Sequence, residues 1–254
     1  MICYDLLTMQ SRALERIPKR SLTDAVFDQL VGRIVAGRWK AGDALPPERQ
    51  LCAELGVSRT AVREALSRLV QLRLIVVRHG GETRVLDLRA TGGLDLLPHL
   101  LRAEGELATE VIRAGVEMRA ALAPELARVA AMRGGDETAA ALAPIVEAMV
   151  GERDDLAALQ ARSLEFWAVV VAGTENLAYQ LAFNTLRDAF LGMREAVAVA
   201  MADELRDQAG YGAIAAAIGA GDGEAAAAAA RAHIARGVAR LTGLARPRRG
   251  QRTS

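Results

Sequence analysis

The side chains best suited to a chemical task lie in one short segment that begins at Ser58. Arg59 and Arg63 stand four residues apart with Thr60 between them, and on a helix that advances about 100° per residue these three share one face. Arginines on an exposed helix face suit the acceptor atoms of guanine in a DNA major groove. An ordinary surface helix with solvated arginines would show the same pattern. The opposite face would hold the apolar residues Ala61, Val62, Ala65, Leu66 and Leu69.

The elements around this segment help to decide between the two interpretations. Apolar spacing predicts a first helix over residues 21–37, a second helix over 46–55 and a third over 58–71. Gly56 permits a left-handed turn after the second helix, and Ser58 is a suitable N-cap for the third. A tight turn between two helices, the second of which carries the arginines, indicates a helix-turn-helix.

A predicted β-hairpin follows the three helices. Its strands are two short β-branched runs at 74–78 and 83–87, joined by His79-Gly80-Gly81-Glu82. A double glycine between such runs is a hairpin signal. Residues 21–90 are therefore predicted to form a winged helix-turn-helix.

The rest of the chain is predicted to be all helical, because no convincing strand follows residue 87. Seven helices with short connections favour an antiparallel bundle. The fold class is thus mostly α: a winged helix-turn-helix followed by an all-α antiparallel helical bundle at 91–245, with a flexible arm at 1–20 and a basic tail at 246–254. The predicted helices, bounded by Gly, Pro, Asp or Asn, are 93–103, 106–133, 137–150, 155–173, 175–200, 203–219 and 222–243.

Composition narrows the class of protein further. The first 90 residues hold 15 Lys and Arg against 10 Asp and Glu, whereas the remainder holds 17 against 21, so the N-terminal part is the candidate for binding nucleic acid. Two cysteines build neither a disulfide framework nor a Cys-type zinc site. We find neither a basic signal peptide nor an apolar run near the roughly 20 residues of a membrane span. We therefore expect a cytoplasmic protein without membrane partners.

The motifs of the N-terminal part resemble the GntR superfamily of winged-helix regulators. The resemblance lies in Leu-Pro-Pro-Glu-Arg-Gln-Leu at 45–51 and Leu-Gly-Val-Ser-Arg-Thr-Ala-Val-Arg-Glu-Ala-Leu at 55–66, and the helical domain is similar to that of the FadR-type branch. The resemblance implies a transcription regulator. Because one winged helix contacts only a half-site, we expect a homodimer that binds a palindromic operator on double-stranded DNA. The residues that the resemblance places on DNA are Arg49, Ser58, Arg59, Thr60, Arg63, His79 and Gly80.

The resemblance also bears on metal binding, because many FadR-type domains hold a metal with one Asp and three His. In this sequence the matching positions hold Ser163, Trp167, Tyr211 and His233. Of the four metal-binding side chains, only the histidine at 233 is therefore present. The chain has three histidines, and the other two lie in the predicted wing and linker, which counts against a three-imidazole site. We expect no metal and no other cofactor.

An apolar cavity is predicted where the metal site would be, although simple core packing would explain each of its residues equally well. The segments 78–80 and 91–97 look like the wing and linker of acyl-CoA-responsive regulators, which implies a small-molecule effector of lipid origin, a fatty acid or acyl-CoA. Arg119 matches a ligand-associated arginine and is expected to face an anion. In those regulators, the positions that contact CoA lie on the last helix. In this sequence the matching positions hold small residues such as Ala229. The candidate ligand-binding residues are Arg119, Phe166, Trp167, Phe183, Tyr211 and His233.

Three alternatives to a lipid-responsive regulator differ in the sequence features that they require. Motifs of nucleophilic, nucleotide-dependent and zinc-dependent enzymes are missing from the sequence, so an enzyme is not expected. A DNA-binding protein that binds no ligand would not need a helical domain twice the size of its DNA-binding domain. A regulator of the same class that responds to a small carboxylate, such as a sugar acid or lactate, stays open as an alternative.

Overall fold

The computed structural model describes residues 22–78, 82–101, 106–191 and 198–244. The predicted N-terminal arm, the wing tip with His79 and Gly80, and the basic C-terminal tail lie outside these ranges. The elements in chain order are α1 (Leu22–Val35), α2 (Glu48–Leu55), α3 (Arg59–Gln71), β1 (Ile75–Val77), β2 (Thr83–Val85), α4 (Leu88–Thr91), α5 (Leu97–Leu100), α6 (Glu106–Arg133), α7 (Gly135–Gly151), α8 (Leu156–Gly173), α9 (Leu177–Leu191), α10 (Ala202–Leu205), α11 (Gln208–Gly219) and α12 (Gly223–Leu244).

The three N-terminal helices form as predicted. Gly56 ends α2 with a φ of 66°, in the left-handed region. Ser58 caps α3, because its hydroxyl accepts a hydrogen bond from the Ala61 backbone N–H at 3.3 Å. The apolar face of α3 is buried against α1 and α2, with Val62 and Leu69 fully inaccessible. Its polar face is thereby turned toward solvent.

The predicted hairpin is present, with strands of three residues each. β1 and β2 pair antiparallel, with Ile75 opposite Val85 and Val77 opposite Thr83. Arg84 fastens the hairpin to the loop before α2, since its Nη1 donates to the Gly42 carbonyl oxygen at 2.6 Å. The hairpin is therefore held against the helices in the position of a wing.

The connection to the helical domain differs from the single helix predicted over 93–103. It consists of α4, a 3₁₀ turn at Leu94–Leu96 and α5. The Asp87 side chain accepts a hydrogen bond from the Arg89 N–H and begins α4, and α4 ends at Gly92. The connection packs on the N-terminal domain, because the rings of Phe27 and His99 meet edge to face at 5.1 Å.

The helical domain is a bundle in which α6 packs most extensively against α12, and α11 lies against both α7 and α12. The predicted helix over 203–219 is divided here. Asp207 accepts a hydrogen bond from the Gly210 N–H at 3.2 Å and begins α11, so that α10 ends at Leu205. Glu204, near the end of α10, is fully buried.

Helix α8 is long and apolar enough to cross a membrane by length and composition alone, with a mean hydropathy of 1.2 over 18 residues. Within this fold it packs in the core of the bundle, where Leu159, Phe166 and Val170 are fully buried. The core helix of a protein can meet the same criterion as a membrane span, and 39% of α8 is buried within the described bundle.

Candidate functional site

The exposed face of α3 brings together the side chains predicted to contact DNA. Arg59, Thr60 and Arg63 are exposed, as is Ser58 directly before them. The opposite face is fixed in the domain core, so these polar groups keep a defined position relative to the wing. A helix presented in this way can enter the major groove, which is about 12 Å wide.

Arg63 forms an ion pair with Glu48, a carboxylate that was not identified from the sequence. The Glu48 Oε2 accepts a hydrogen bond from the Arg63 Nε at 2.8 Å, and this bond raises the pKa of Arg63. Within the described part of the chain this bond engages the Nε of Arg63, and the side chain as a whole is 69% exposed. The exposed Arg49 follows Glu48 on α2.

Arg68 lies on the polar half of α3 but serves the fold. Its Nη1 donates to the Asp24 Oδ1 at 2.6 Å, and its guanidinium lies 3.9 Å from the centre of the Phe27 ring. These contacts tie α3 to α1. The side chains free to reach DNA are therefore concentrated in the N-terminal half of α3.

The helical domain contains an apolar cavity of about 100 Å³. Three of the predicted ligand-binding residues, Arg119, Trp167 and Phe183, lie in its wall. The wall is built by α6, α8, α9 and α10, with Met201 preceding α10, and most of it is aliphatic or aromatic. The other lining residues are Leu122, Ala123, Leu126, Gln160, Ser163, Leu164, Tyr179, Ala182, Leu186, Arg187, Met201 and Leu205.

The other three predicted residues, Phe166, Tyr211 and His233, pack behind this wall and line no part of the described cavity. The Tyr211 hydroxyl donates to the Ser163 Oγ at 2.8 Å, and burial raises the pKa of Tyr211. Its ring meets those of Phe166 and His233 edge to face, at 4.9 and 4.2 Å. These residues support the cavity, and a ligand would touch them only after a rearrangement.

The role in ligand binding predicted for Arg119 stays a prediction, and the guanidinium of Arg119 is already paired within the protein. Its two terminal nitrogens bind the Glu204 carboxylate, with Nη1 at 2.9 Å from Oε2. Burial alone would lower the pKa of Arg119, but the charge and hydrogen bonds of Glu204 outweigh this and raise it. Sequence reasoning missed Glu204 because the two residues lie 85 positions apart. Arg119 is therefore not a free partner for an anion.

The residues at the former metal positions do not form a metal-ligand set. Ser163 and Tyr211 are hydrogen-bonded to each other, and Trp167 offers no lone pair that a metal could use. The His233 Nδ1 lies 3.0 Å from the Asp207 Oδ2 and, since a carboxylate accepts, Nδ1 donates. Among the described residues no group of three His, Cys, Asp or Glu side chains could hold a metal ion.

Removal of divalent metals is accordingly expected to change nothing. Dialysis against EDTA should leave the melting temperature within about 1 °C of the untreated protein, because a folded state that binds no metal gains no stability from it. Circular dichroism melting and DNA binding before and after dialysis measure this. A fall of several degrees that zinc reverses would contradict the assignment.

Both halves of the chain match known families. Residues 22–85 match the family described as bacterial regulatory proteins, gntR family, and residues 115–236 match the FCD domain. A solved structure described as Lar, which controls the expression of the Listeria monocytogenes agr system, aligns over 89% of this chain and 98% of its own, with a TM-score of 0.55 and 16% identity. That likeness concerns the fold.

Several relatives are similar in sequence. The HTH-type transcriptional regulator Mce2R of Mycobacterium tuberculosis is 38% identical over 206 residues, which are 81% of this chain and 85% of that protein. The HTH-type transcriptional regulator Rv0494 of the same species is 34% identical over 194 residues, 76% and 78% of the two chains. The fatty acid metabolism regulator protein of Vibrio cholerae is 34% identical over 101 residues, 40% of this chain and 36% of that protein.

Proposed function

Since the chain belongs to the gntR family of bacterial regulatory proteins and carries an FCD domain, we propose that it is a transcription regulator controlled by a lipid-derived effector. It binds a palindromic operator as a homodimer and releases it when the effector enters the cavity of the helical domain. Its relatives are named as regulators, which agrees with the expectation that it is not an enzyme. It acts in the cytoplasm and is associated with the nucleoid when it is bound to DNA.

The DNA-binding part of the proposal depends on α3. Arg59 and Arg63 reach base edges in the major groove, where each arginine can bind the O6 and N7 of a guanine. Arg49, Ser58 and Thr60 are placed to fix the helix on neighbouring phosphates or bases. The wing-tip residues His79 and Gly80 are assigned to the same surface by the resemblance of their segment.

The observation that carries the effector part is the apolar cavity beside Trp167 and Phe183. Ligand sites are commonly apolar concavities with a few polar groups, typically of about 300 to 1,000 Å³. The present volume of about 100 Å³ is smaller, so an acyl chain must widen the cavity. The fatty acid regulator among the relatives supports a ligand of this class.

Helix α9 is the wall best placed to move. None of its residues with a described side chain is fully buried, and Leu177 and Leu181 are 68% and 59% exposed. The helix also contacts the 3₁₀ turn and α5, which in turn contacts α1 of the DNA-binding domain. Displacement of α9 by a ligand would thus shift the two winged domains of a dimer relative to each other.

Ligand control then follows from differential affinity. An effector that binds better to the widened form favours that form, in which the winged domains are wrongly spaced for the operator. The test is a titration of the protein–operator complex with fatty acids, acyl-CoA esters and short carboxylates such as lactate and gluconate, followed by fluorescence anisotropy. Release by lactate or gluconate, with no response to lipids, would refute the lipid class.

The protein is expected to be a dimer that places two copies on one operator. One winged helix contacts only a half-site, and two-fold symmetry pairs two half-sites about one helical turn apart. Light scattering at micromolar concentration should therefore give twice the mass of the chain, and the complex should hold two chains per duplex. A monomeric mass together with one chain per duplex would contradict this.

A further inference from the structure

Two buried polar atoms of the cavity-lining residues have no hydrogen-bond partner within the described structure. They are the Trp167 Nε1 and the Gln160 Oε1. Both side chains belong to α8, and each residue is only 5% exposed. A buried donor or acceptor without a partner is costly in free energy, and native proteins leave few of them. An occupant that reaches these two atoms and supplies the missing partners is therefore favoured over a purely apolar one.

Both cations in the cavity wall already have a carboxylate beside them. Arg119 binds the buried Glu204, and the Arg187 Nε lies 3.4 Å from the Asp188 Oδ1 at a more exposed position. Within the described residues the buried part of the wall therefore offers an anion no unpaired positive charge. A carboxylate that left water for this site would lose its hydration without gaining a counter-charge, which is strongly unfavourable.

We infer that the effector occupies the cavity as an uncharged molecule, whose apolar body carries a carbonyl or hydroxyl oxygen that accepts a hydrogen bond from Trp167. Neutral acyl derivatives such as esters, thioesters and amides have this chemistry. A free fatty acid at neutral pH also offers an acceptor oxygen, but its ionised head group brings a charge that the buried wall does not balance. An amide or hydroxyl head can also donate to Gln160. The inference rests on the proposed function, since it takes the cavity to be the effector site.

The inference is tested with three ligands that share one chain, namely octanamide, methyl octanoate and octanoate. Calorimetric titration of the full-length protein at about pH 8, where octanoate is ionised, should show the amide and the ester binding at least about ten-fold more tightly than octanoate. When the pH falls to about 5, the affinity for octanoate should rise as its head group becomes neutral, while that for octanamide should stay within about two-fold.

Two variants identify Trp167 as the hydrogen-bond donor. Trp167→Phe removes the Nε1–H and keeps an aromatic ring, so the affinity for octanamide should fall by about 2- to 12-fold, the loss of one hydrogen bond. A general loosening of the cavity would also lower this affinity, so the second variant keeps Trp167 and reports on its Nε1–H directly. In a Trp39→Phe protein Trp167 is the remaining tryptophan, and its emission should shift to longer wavelength when octanamide binds.

The outcomes separate this inference from the proposed function. If octanoate binds at about pH 8 as tightly as octanamide, or if bound octanamide leaves the Trp167 emission unchanged, the effector site stands and the inference is wrong. If Trp167→Phe is folded and binds octanamide as tightly as the wild-type protein, the inference is also wrong. If none of the three compounds binds at concentrations near its solubility, both the inference and the proposed effector site are wrong.

Discussion

Replacing Arg63 with alanine is expected to weaken operator binding by roughly 5- to 150-fold, the loss typical of an arginine that contacts a guanine. The Arg63 side chain is 69% exposed and its partner Glu48 is 40% exposed, so the substitution leaves the core of the domain untouched. Fluorescence anisotropy of a labelled operator at fixed salt concentration measures the loss. The affinity for random DNA should fall much less, since base contacts carry specificity.

A matched control removes the same charge elsewhere. Arg153 is exposed after α7 in the helical domain, and Arg153→Ala should leave the operator affinity within about two-fold, because salt screens charges that lie far from the DNA. Circular dichroism establishes that both variants are folded. Equal operator affinities for folded Arg63→Ala and Arg153→Ala would show that α3 does not read the operator.

Loss of Arg119 is expected to have the largest effect on stability. Arg119→Ala leaves the fully buried Glu204 without its counter-ion, and breaking a buried ion pair in this way typically costs about 3 to 5 kcal/mol. Urea unfolding followed by circular dichroism measures the change in the free energy of unfolding. Because the expected loss is a large part of the stability of a typical domain, a weakened ligand response in this variant would not show that Arg119 contacts the ligand.

Two comparisons make this prediction specific. Arg119→Met combined with Glu204→Leu replaces both charges by apolar groups of similar size and should recover most of the loss, because no buried charge is left unpaired. Arg113→Ala on the same helix removes a half-exposed arginine and should change the free energy of unfolding by about 0.5 kcal/mol or less. A loss below about 1 kcal/mol for Arg119→Ala would contradict the importance of the pair.

The DNA-binding domain could be predicted closely because its signals are local. The bounds of α3 follow from Ser58 as N-cap and from five apolar residues at helical spacing, and both features are confirmed. Gly56 marked the turn before α3, and its φ of 66° is the conformation that glycine adopts most readily. In such elements each local preference agrees with the packing.

The helical domain was predicted less completely because its decisive contacts are distant in sequence. The pairing of Glu204 with Arg119 could not be predicted, because nothing in the sequence around Glu204 indicates that this side chain is buried. The division between α10 and α11 near Asp207 was not predicted either. Gln160 did give a signal, because it shares a helical stripe with Ser163 and Trp167 on α8. In the sequence this stripe is indistinguishable from ordinary core packing, and only the structure shows that a cavity lies beside it.

Selection of bound sequences from a pool of random DNA tests the central claim most directly. The claim is that the exposed face of α3 reads a specific operator as part of a two-fold symmetric dimer. It predicts one enriched sequence with inverted half-sites about one helical turn apart, which Arg63→Ala fails to enrich to the same degree. If the wild-type protein enriched no sequence above the starting pool, or a single half-site without symmetry, the claim would be contradicted.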